Sequence, residues 1–270
     1  MTKVQGDSMD LAKLNSATKY PSILTYHEMG DRGRLNPKVQ VPFVEGMELF
    51  ISEKVDGTNA RIILPPESNR IVHGGLYRKY LIGSREELLT ADQDLVFAPD
   101  YGIVEALRPI ADALPAGEGL IQVFFFEVFG GNLPASKQYS DVKQISVRLF
   151  DEASILVETL EMPIEKIAAW RDAGGQMFKP HDTLNELLQR IKEKHGLSLA
   201  RVPDLGRVTS LPTSIEETYE WLKQHSKSGC DLGGGKSQAE GVVVRTWDRK
   251  LIAKLRFEDY ERTLGIKRKQ

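Results

Sequence analysis

Four stretches of this 270-residue chain place ionisable side chains where chemistry could use them. The first is Glu53-Lys54-Val55-Asp56-Gly57-Thr58-Asn59, in which a lysine stands two residues ahead of an Asp-Gly pair. The second puts Glu127 inside the apolar run Val123-Phe124-Phe125-Phe126-Glu127-Val128-Phe129. The third opens with Glu240 and continues Gly241-Val242-Val243-Val244-Arg245. The fourth carries Lys254 and Arg256 in Leu251-Ile252-Ala253-Lys254-Leu255-Arg256. An amine attacks an electrophile only when neutral, and a lysine of ordinary pKa is neutral in about one molecule in 2,500 at pH 7. Burial and nearby cations favour the neutral form. Taken alone, Lys-x-Asp-Gly describes a surface lysine before a turn equally well, so the other three stretches decide.

Burying a charge costs several kcal/mol unless it is paired. The plain account is a set of structural ion pairs, Glu127 and Glu240 with Lys254 and Arg256. Residues i and i+2 of a strand share a face, so Lys254 and Arg256 project together. Lys54 and Asp56 do the same if their strand runs through both. Two carboxylates, three cations and an Asp-Gly on converging strands describe a site for an anion and a divalent metal. A hard cation such as Mg²⁺ takes carboxylate oxygens together with phosphate.

The elements that must position these residues are legible from periodicity. Strands are expected at 48–53, 60–64, 71–73 and 80–83, with a turn at 65–69. Residues 28–41, rich in Gly, Asp, Arg and Pro, read as a loop. Slight helical periodicity precedes residue 20, and 99–114 has helical spacing closed by 115–119. The continuous β-prone run 120–129 predicts a central strand buried on both faces, followed by a strand at 145–150. Helices are expected at 161–173, at 183–194 capped by Asp182 or Thr183, and at 214–227 capped by Thr213 or Ser214 with Glu217 three residues on. After a flexible turn at 229–235, strands at 241–246 and 251–255 flank a reversal at 247–250, and a charged helix covers 257–264. The order of strands, a helical insertion over 155–230, then strands again predicts an α+β fold whose sheets the last hairpin completes.

Composition sets the outer bounds. The charged fraction of 27% and hydrophobic fraction of 41% suit a globular protein. No apolar run approaches the length of a membrane-spanning helix, and residues 1–22 lack the apolar core of a secretory signal. The one cysteine, Cys230, excludes an internal disulfide and suits a reducing cytoplasm. No Cys/His group has zinc spacing. With a formal net charge of −2, a nucleic-acid enzyme must concentrate its basic residues locally. Residues 70–85 (Arg70, His73, Arg78, Lys79, Arg85) and the tail Lys267-Arg268-Lys269 are the candidates, against a solvated face as the simpler account.

The ordered set of motifs resembles the covalent nucleotidyltransferase superfamily of ATP-dependent polynucleotide ligases and mRNA capping enzymes. Lys54-Val55-Asp56-Gly57 resembles motif I, and Gly83-Ser84-Arg85 motif Ia. Phe124 to Gly130 resembles motif III, Leu149-Phe150-Asp151 motif IIIa, Glu240 to Arg245 motif IV, and Leu251 to Arg256 motif V. The Lys-x-x-Gly-Thr-Asn form of motif I and the upstream Lys19-Tyr20-Pro21-Ser22-Ile23 are similar to the RNA ligase branch that includes the second, duplex-nick-sealing family of phage RNA ligases. The resemblance implies an ATP-grasp-like adenylation domain, with antiparallel sheets around a nucleotide pocket and a helical insertion.

The resemblance also implies residue roles. Lys54 attacks the α-phosphorus of ATP, and Asp56 assists the metal's hydration shell or the lysine. Asn59 lies near the phosphates, and Arg85 engages a nucleic-acid phosphate or sugar. Glu127 binds the ribose hydroxyls, Phe150 stacks on adenine, and Glu240 ligates Mg²⁺ or Mn²⁺. Lys254 contacts the α-phosphate with Arg256 nearby. The superfamily commonly has lysine at both of these motif V positions, and an arginine fork at 256 puts its detailed role in doubt. The implied activity is ATP-dependent joining of 3′-hydroxyl and 5′-phosphate RNA ends, nicked or broken, through lysyl-AMP and an adenylated 5′ end. A minimal DNA ligase acting on a DNA-containing duplex, a nucleic-acid-adenylating enzyme and a catalytically silent end-binding protein are the alternatives. The chain is expected to be one nucleotidyltransferase domain over 1–270, without a C-terminal oligonucleotide-binding or helical domain. Residues 155–230, or an end-healing or docking partner protein, would then dock the substrate.

Overall fold

The computed structural model describes residues 9–66, 71–73, 76–78, 80–89, 101–114 and 119–266. The residues of the turn beyond 66, Arg70, Lys79, the segment 115–118 and the basic tail 267–269 lie outside the described residues, as do the side chains of His73 and Arg78.

Helix α1 (Leu11–Thr18) is capped by Asp10, whose carboxylate accepts from the backbone N–H groups of Ala12 and Lys13. Strands β1 (Leu24–Thr25), β2 (His27–Met29) and β3 (Leu35–Val39) follow. The stretch expected as a loop at 28–41 is therefore a β2–β3 hairpin, held by burial of His27 and Leu35. Next come β4 (Leu49–Lys54), β5 (Thr58–Leu64), β6 (Ile71–His73), β7 (Leu76–Arg78) and β8 (Leu81–Ser84), then α2 (Ile103–Ala113). β9 (Ile121–Gly130) pairs with β10 (Ile145–Ile155), which runs five residues beyond its expected end. The middle third contains α3 (Ile164–Asp172), β11 (Met177–Phe178), α4 (Thr183–His195), β12 (Asp204–Val208) and α5 (Ile215–Lys223). β13 (Gly241–Thr246), β14 (Ile252–Arg256) and α6 (Phe257–Leu264) complete the order.

Two five-stranded sheets result. The first has the order β1-β14-β13-β4-β12 and the second β11-β10-β9-β5-β8. Every pairing is antiparallel except β1 with β14. The last hairpin thus completes the first sheet alone. The 155–230 region is not purely helical, because β11 and β12 each close one sheet edge. α5 starts with the expected capping box, Ser214 accepting from the Glu217 N–H, but ends at Lys223. At α4 the Asp182 carboxylate instead accepts from the Trp247 indole.

Alternation along the strands explains the packing. Leu49 and Ile51 of β4, Val242 and Val244 of β13, and Ala253 and Leu255 of β14 face α5 and α6 in one apolar cluster. The other face of that sheet therefore carries Phe50, Ser52 and Lys54, Val243 and Arg245, and Ile252, Lys254 and Arg256. In the second sheet, Phe124, Phe126 and Val128 pack toward α2 and α4, while Val123 and Phe125 pack toward α1 and α3. β9 is buried on both faces, as expected of a central strand. Each fully buried Phe contributes about 1.5–3 kcal/mol relative to exposure. Glu127 belongs to the Val123–Phe125 face, at the end where the apolar packing stops. Among the described residues no helix is long and apolar enough to cross a membrane.

Candidate active site

The chain passes from the first sheet to the second through Val55-Asp56-Gly57, between β4 and β5. The strand ends at Lys54, so Lys54 and Asp56 do not share a strand face as their spacing allowed. Tyr139 fixes the crossover by accepting the Asp56 N–H at 2.5 Å, and the Gly57 N–H donates to Glu127 Oε1 at 3.1 Å. A Cβ at Gly57 would lie 2.3 Å from the Val128 carbonyl oxygen, so only glycine allows this approach.

Around that crossover lies a cleft of about 430 Å³. Lys54, Asp56, Asn59, Arg85, Glu127, Phe150, Glu240, Lys254 and Arg256 all line it. Register accounts for much of this convergence. Gly241 stands opposite Lys54 on one side and Arg256 on the other, while Val243 stands opposite both Ser52 and Lys254. Asn59 and Glu127 are direct cross-strand partners.

The ion pairs differ from the simple expectation. Lys54 Nζ meets Glu240 Oε2 at 2.5 Å, and Arg256 Nη1 lies 3.9 Å from Glu240 Oε1. Glu127 contacts the Gly57 backbone, not Lys254 or Arg256. Among the described residues no carboxylate forms an ion pair with Lys254, whose pKa is lowered by burial and then by Arg256 and Lys54. Burial deep in the cleft pushes the Glu127 carboxyl up to about 8; Lys54 opposes this and Glu240 adds to it. Arg256 is committed elsewhere: Asp259, in the first turn of α6, accepts from its Nε and Nη2 at 2.8 Å each. That bidentate pair raises the Arg256 pKa.

A family model for RNA ligases matches residues 47–257. The chain belongs to the RNA ligase family. No curated protein matches its sequence. Among solved structures, a Naegleria gruberi RNA ligase mutant with ATP and Mn superposes with a TM-score of 0.55 at 15% identity, over 91% of this chain and 62% of that one. A second mutant of that ligase with ATP and Mn gives 0.54 at 13% identity, over 98% and 66%. An apo mutant gives 0.54 at 14%, over 92% and 62%. The chain thus spans roughly three fifths of the length of the ligases it matches, and the likeness shows that they share an α+β nucleotidyltransferase fold.

Sequence reasoning about this RNA ligase family member missed residues that build the site without heading any motif. Asp151, fully buried, accepts from Arg245 Nη1 at 3.1 Å, Arg249 Nε at 2.6 Å and the Tyr20 hydroxyl at 2.8 Å. The Arg249 guanidinium lies 3.4 Å from the Phe178 ring centroid. Tyr20 meets Phe150 edge-on at 4.9 Å, and Phe150 sits at the register shift between Leu149 and Asp151. The network therefore ties both sheets and the N-terminal segment together beside Phe150. Glu53, also buried, accepts from Ser228 and from the Gly229 N–H. It thereby pins the loop that leads to Glu240. An acidic residue beside an expected aromatic platform was the available signal for Asp151; Asp259 left none beyond its place three residues after Arg256.

Proposed function

We propose that this chain is an ATP-dependent RNA ligase acting in the cytoplasm through its adenylation domain. The observation that carries the reading is the convergence of Lys54, Glu127, Phe150, Glu240 and Lys254 on one cleft beside the β4–β5 crossover. The cleft volume lies within the range of small-molecule sites. Phe150 offers a ring for adenine, Glu127 acceptors for ribose hydroxyls, and Lys254, which has no carboxylate partner among the described residues, a cation for the α-phosphate. Asn59 Oδ1 is buried without a hydrogen-bond partner, as fits a polar group awaiting a ligand. The related ligases with ATP and Mn support the same assignment.

For the metal, Glu240 supplies a hard oxygen donor and Asp56 a second carboxylate at the rim. Among the described residues no cluster of three or more His, Cys, Asp or Glu could hold an ion alone. Phosphate oxygens and water would complete the shell, as is usual for Mg²⁺. Bound there, Mg²⁺ or Mn²⁺ would neutralise charge on the phosphates.

In the first step Lys54 leaves its ion pair with Glu240 and gives up a proton to solvent. Its nitrogen then bonds the α-phosphorus as the α–β P–O bond breaks and pyrophosphate departs. Lys254 stabilises the charge on the α-phosphate oxygens. In the second step a 5′-phosphate oxygen of RNA attacks the same phosphorus, the P–N bond to Lys54 breaks, and the amine regains a proton. In the third a 3′-hydroxyl gives its proton to solvent and bonds the RNA phosphorus as the P–O bond to AMP breaks and AMP departs. Docking of a longer substrate, including a DNA-containing duplex, falls to the 155–230 region or to a partner protein.

The decisive experiment is covalent labelling with ATP labelled at the α-phosphate, Mg²⁺, and a Lys54→Ala control, after stripping any prebound AMP. We expect label from ATP alone that stays on the denatured protein, is released by acid as a phosphoramidate should be, is absent from Lys54→Ala, and chases onto 5′-phosphorylated RNA. Label from GTP would move the reading to capping. A folded protein that takes label from neither nucleotide overturns the ligase mechanism and leaves end binding.

A further inference from the structure

A second, smaller cavity of about 250 Å³ opens beside the cleft. Tyr20, Ser22 and Arg85 line both, so a strand leaving the cleft passes directly into it. Its cations come from three separate segments: Lys19 after α1, Arg85 after β8, and Arg171 in the last turn of α3.

The charge balance there differs from that of the whole chain. Arg61 is wholly buried and, among the described residues, donates only to neutral oxygens of Asn15, Thr18, Ser84 and Arg85. Burial, then Arg171, lowers its pKa to about 9, with Glu86 opposing, so it remains a cation at neutral pH. Four cations thus meet two carboxylates, Glu86 and Asp172, in a protein whose net charge is −2. The carboxylates are the looser partners. Glu86 and Asp172 are 66% and 58% exposed, against 25% for Lys19 and 13% for Arg171. Lys19 meets Glu86 at 2.7 Å and Arg171 meets Asp172 at 2.9 Å. An incoming anion can displace the exposed Glu86 carboxylate from Lys19 at small cost; Arg171 holds Asp172 with Nε and Nη2 at 2.9 and 3.3 Å, and its remaining N–H groups are what it can offer a second anion. On the other side, Arg85 is close enough to contribute to the lowered pKa of Lys254. Arg85, which lines both spaces, thus stands between Lys254 in the cleft and Lys19 and Arg171 in the side cavity.

We propose that this cavity seats a backbone phosphodiester of the RNA strand that carries the reacting 5′-phosphate, with Lys19 and Arg171 as its contacts and Arg85 at the junction. The inference rests on the ligase reading and adds to it a docking site partly supplied by the helical insertion. It separates the reaction steps: ATP does not reach Lys19 or Arg171, whereas the RNA strand does.

The test compares wild type with Lys19→Gln, Arg171→Gln and Lys19→Arg. Lysine adenylation is measured first. Transfer of labelled AMP to a 5′-phosphorylated nicked RNA duplex is then followed across a salt series. Both Gln variants should adenylate within about twofold of wild type. They should transfer AMP about tenfold more slowly, with the log–log salt slope shallower by roughly one per cation removed. Lys19→Arg should retain transfer. Transfer rates and salt slopes equal to wild type overturn the proposal, and a loss confined to 5′-phosphorylated DNA overturns its assignment to RNA. Arg171 also donates to the Ser16 carbonyl at 2.8 Å; if Arg171→Gln fails to fold, the more exposed Lys19→Gln decides. If wild type forms no lysyl-AMP, the ligase reading fails first, and anisotropy with labelled 5′-phosphorylated RNA still tests the seat.

Discussion

Glu127 shows how one residue's environment links stability to its suggested role. Its folded pKa of about 8 exceeds the ordinary value of 4.5. The folded state therefore holds an extra proton between these two pH values. The stabilisation from this group is complete below about pH 4.5 and is lost as pH rises through about 8. Without nucleotide, the melting temperature of wild type should fall more steeply between pH 5 and 8.5 than that of Glu127→Gln. Parallel profiles in thermal melts would refute the assignment.

At the scale of elements, the join between β14 and α6 sets what Arg256 can do. Arg256 occupies the N-cap position of α6 and is held by Asp259 one turn on. Its other close carboxylate is Glu240, with Arg256 Nη1 3.9 Å from Glu240 Oε1. Asp259→Asn should weaken the protein by about 1.5–3 kcal/mol in urea unfolding, the range for hydrogen bonds to a charged partner. It should also raise the Mg²⁺ concentration for half-maximal adenylation by about tenfold, because Glu240 loses its orienting neighbour. An unchanged Mg²⁺ requirement with a raised KM for ATP would instead make Arg256 a phosphate ligand.

At the scale of the whole molecule, two sheets must keep a fixed relation if Phe150 from one and Lys54 from the other are to face the same nucleotide. The buried Asp151 network, with Arg245, Arg249 and Tyr20, spans that gap. Replacing Asp151 with Asn leaves two nearly buried guanidinium groups short of a counter-charge. This should cost about 3–5 kcal/mol of unfolding free energy. The triple change Asp151→Leu with Arg245→Met and Arg249→Met should recover much of that loss, as apolar replacements of whole buried ion triads often do. Denaturant titrations of the two variants check both statements.

The strands that carry the chemistry were legible because period-two alternation and apolar runs are local properties. β4, β9 and β13 lie within a residue or so of their expected bounds. Ordered motifs brought the nine site residues together on paper before the cleft brought them together in space. What the sequence left open depends on pairing across distance. β3 and β12 have little local β signal, and exist because β2 and the free edge of β4 offer hydrogen bonds. Asp151 finds Arg245, Arg249 and Tyr20 at separations of 94, 98 and 131 residues. The commitment of Arg256 to Asp259, and of Lys54 to Glu240, likewise follows from how strands abut. Local sequence determines which face a side chain takes; only tertiary packing determines which charge stands opposite it, because the energy of a buried charge depends on its partners and not on its neighbours in the chain.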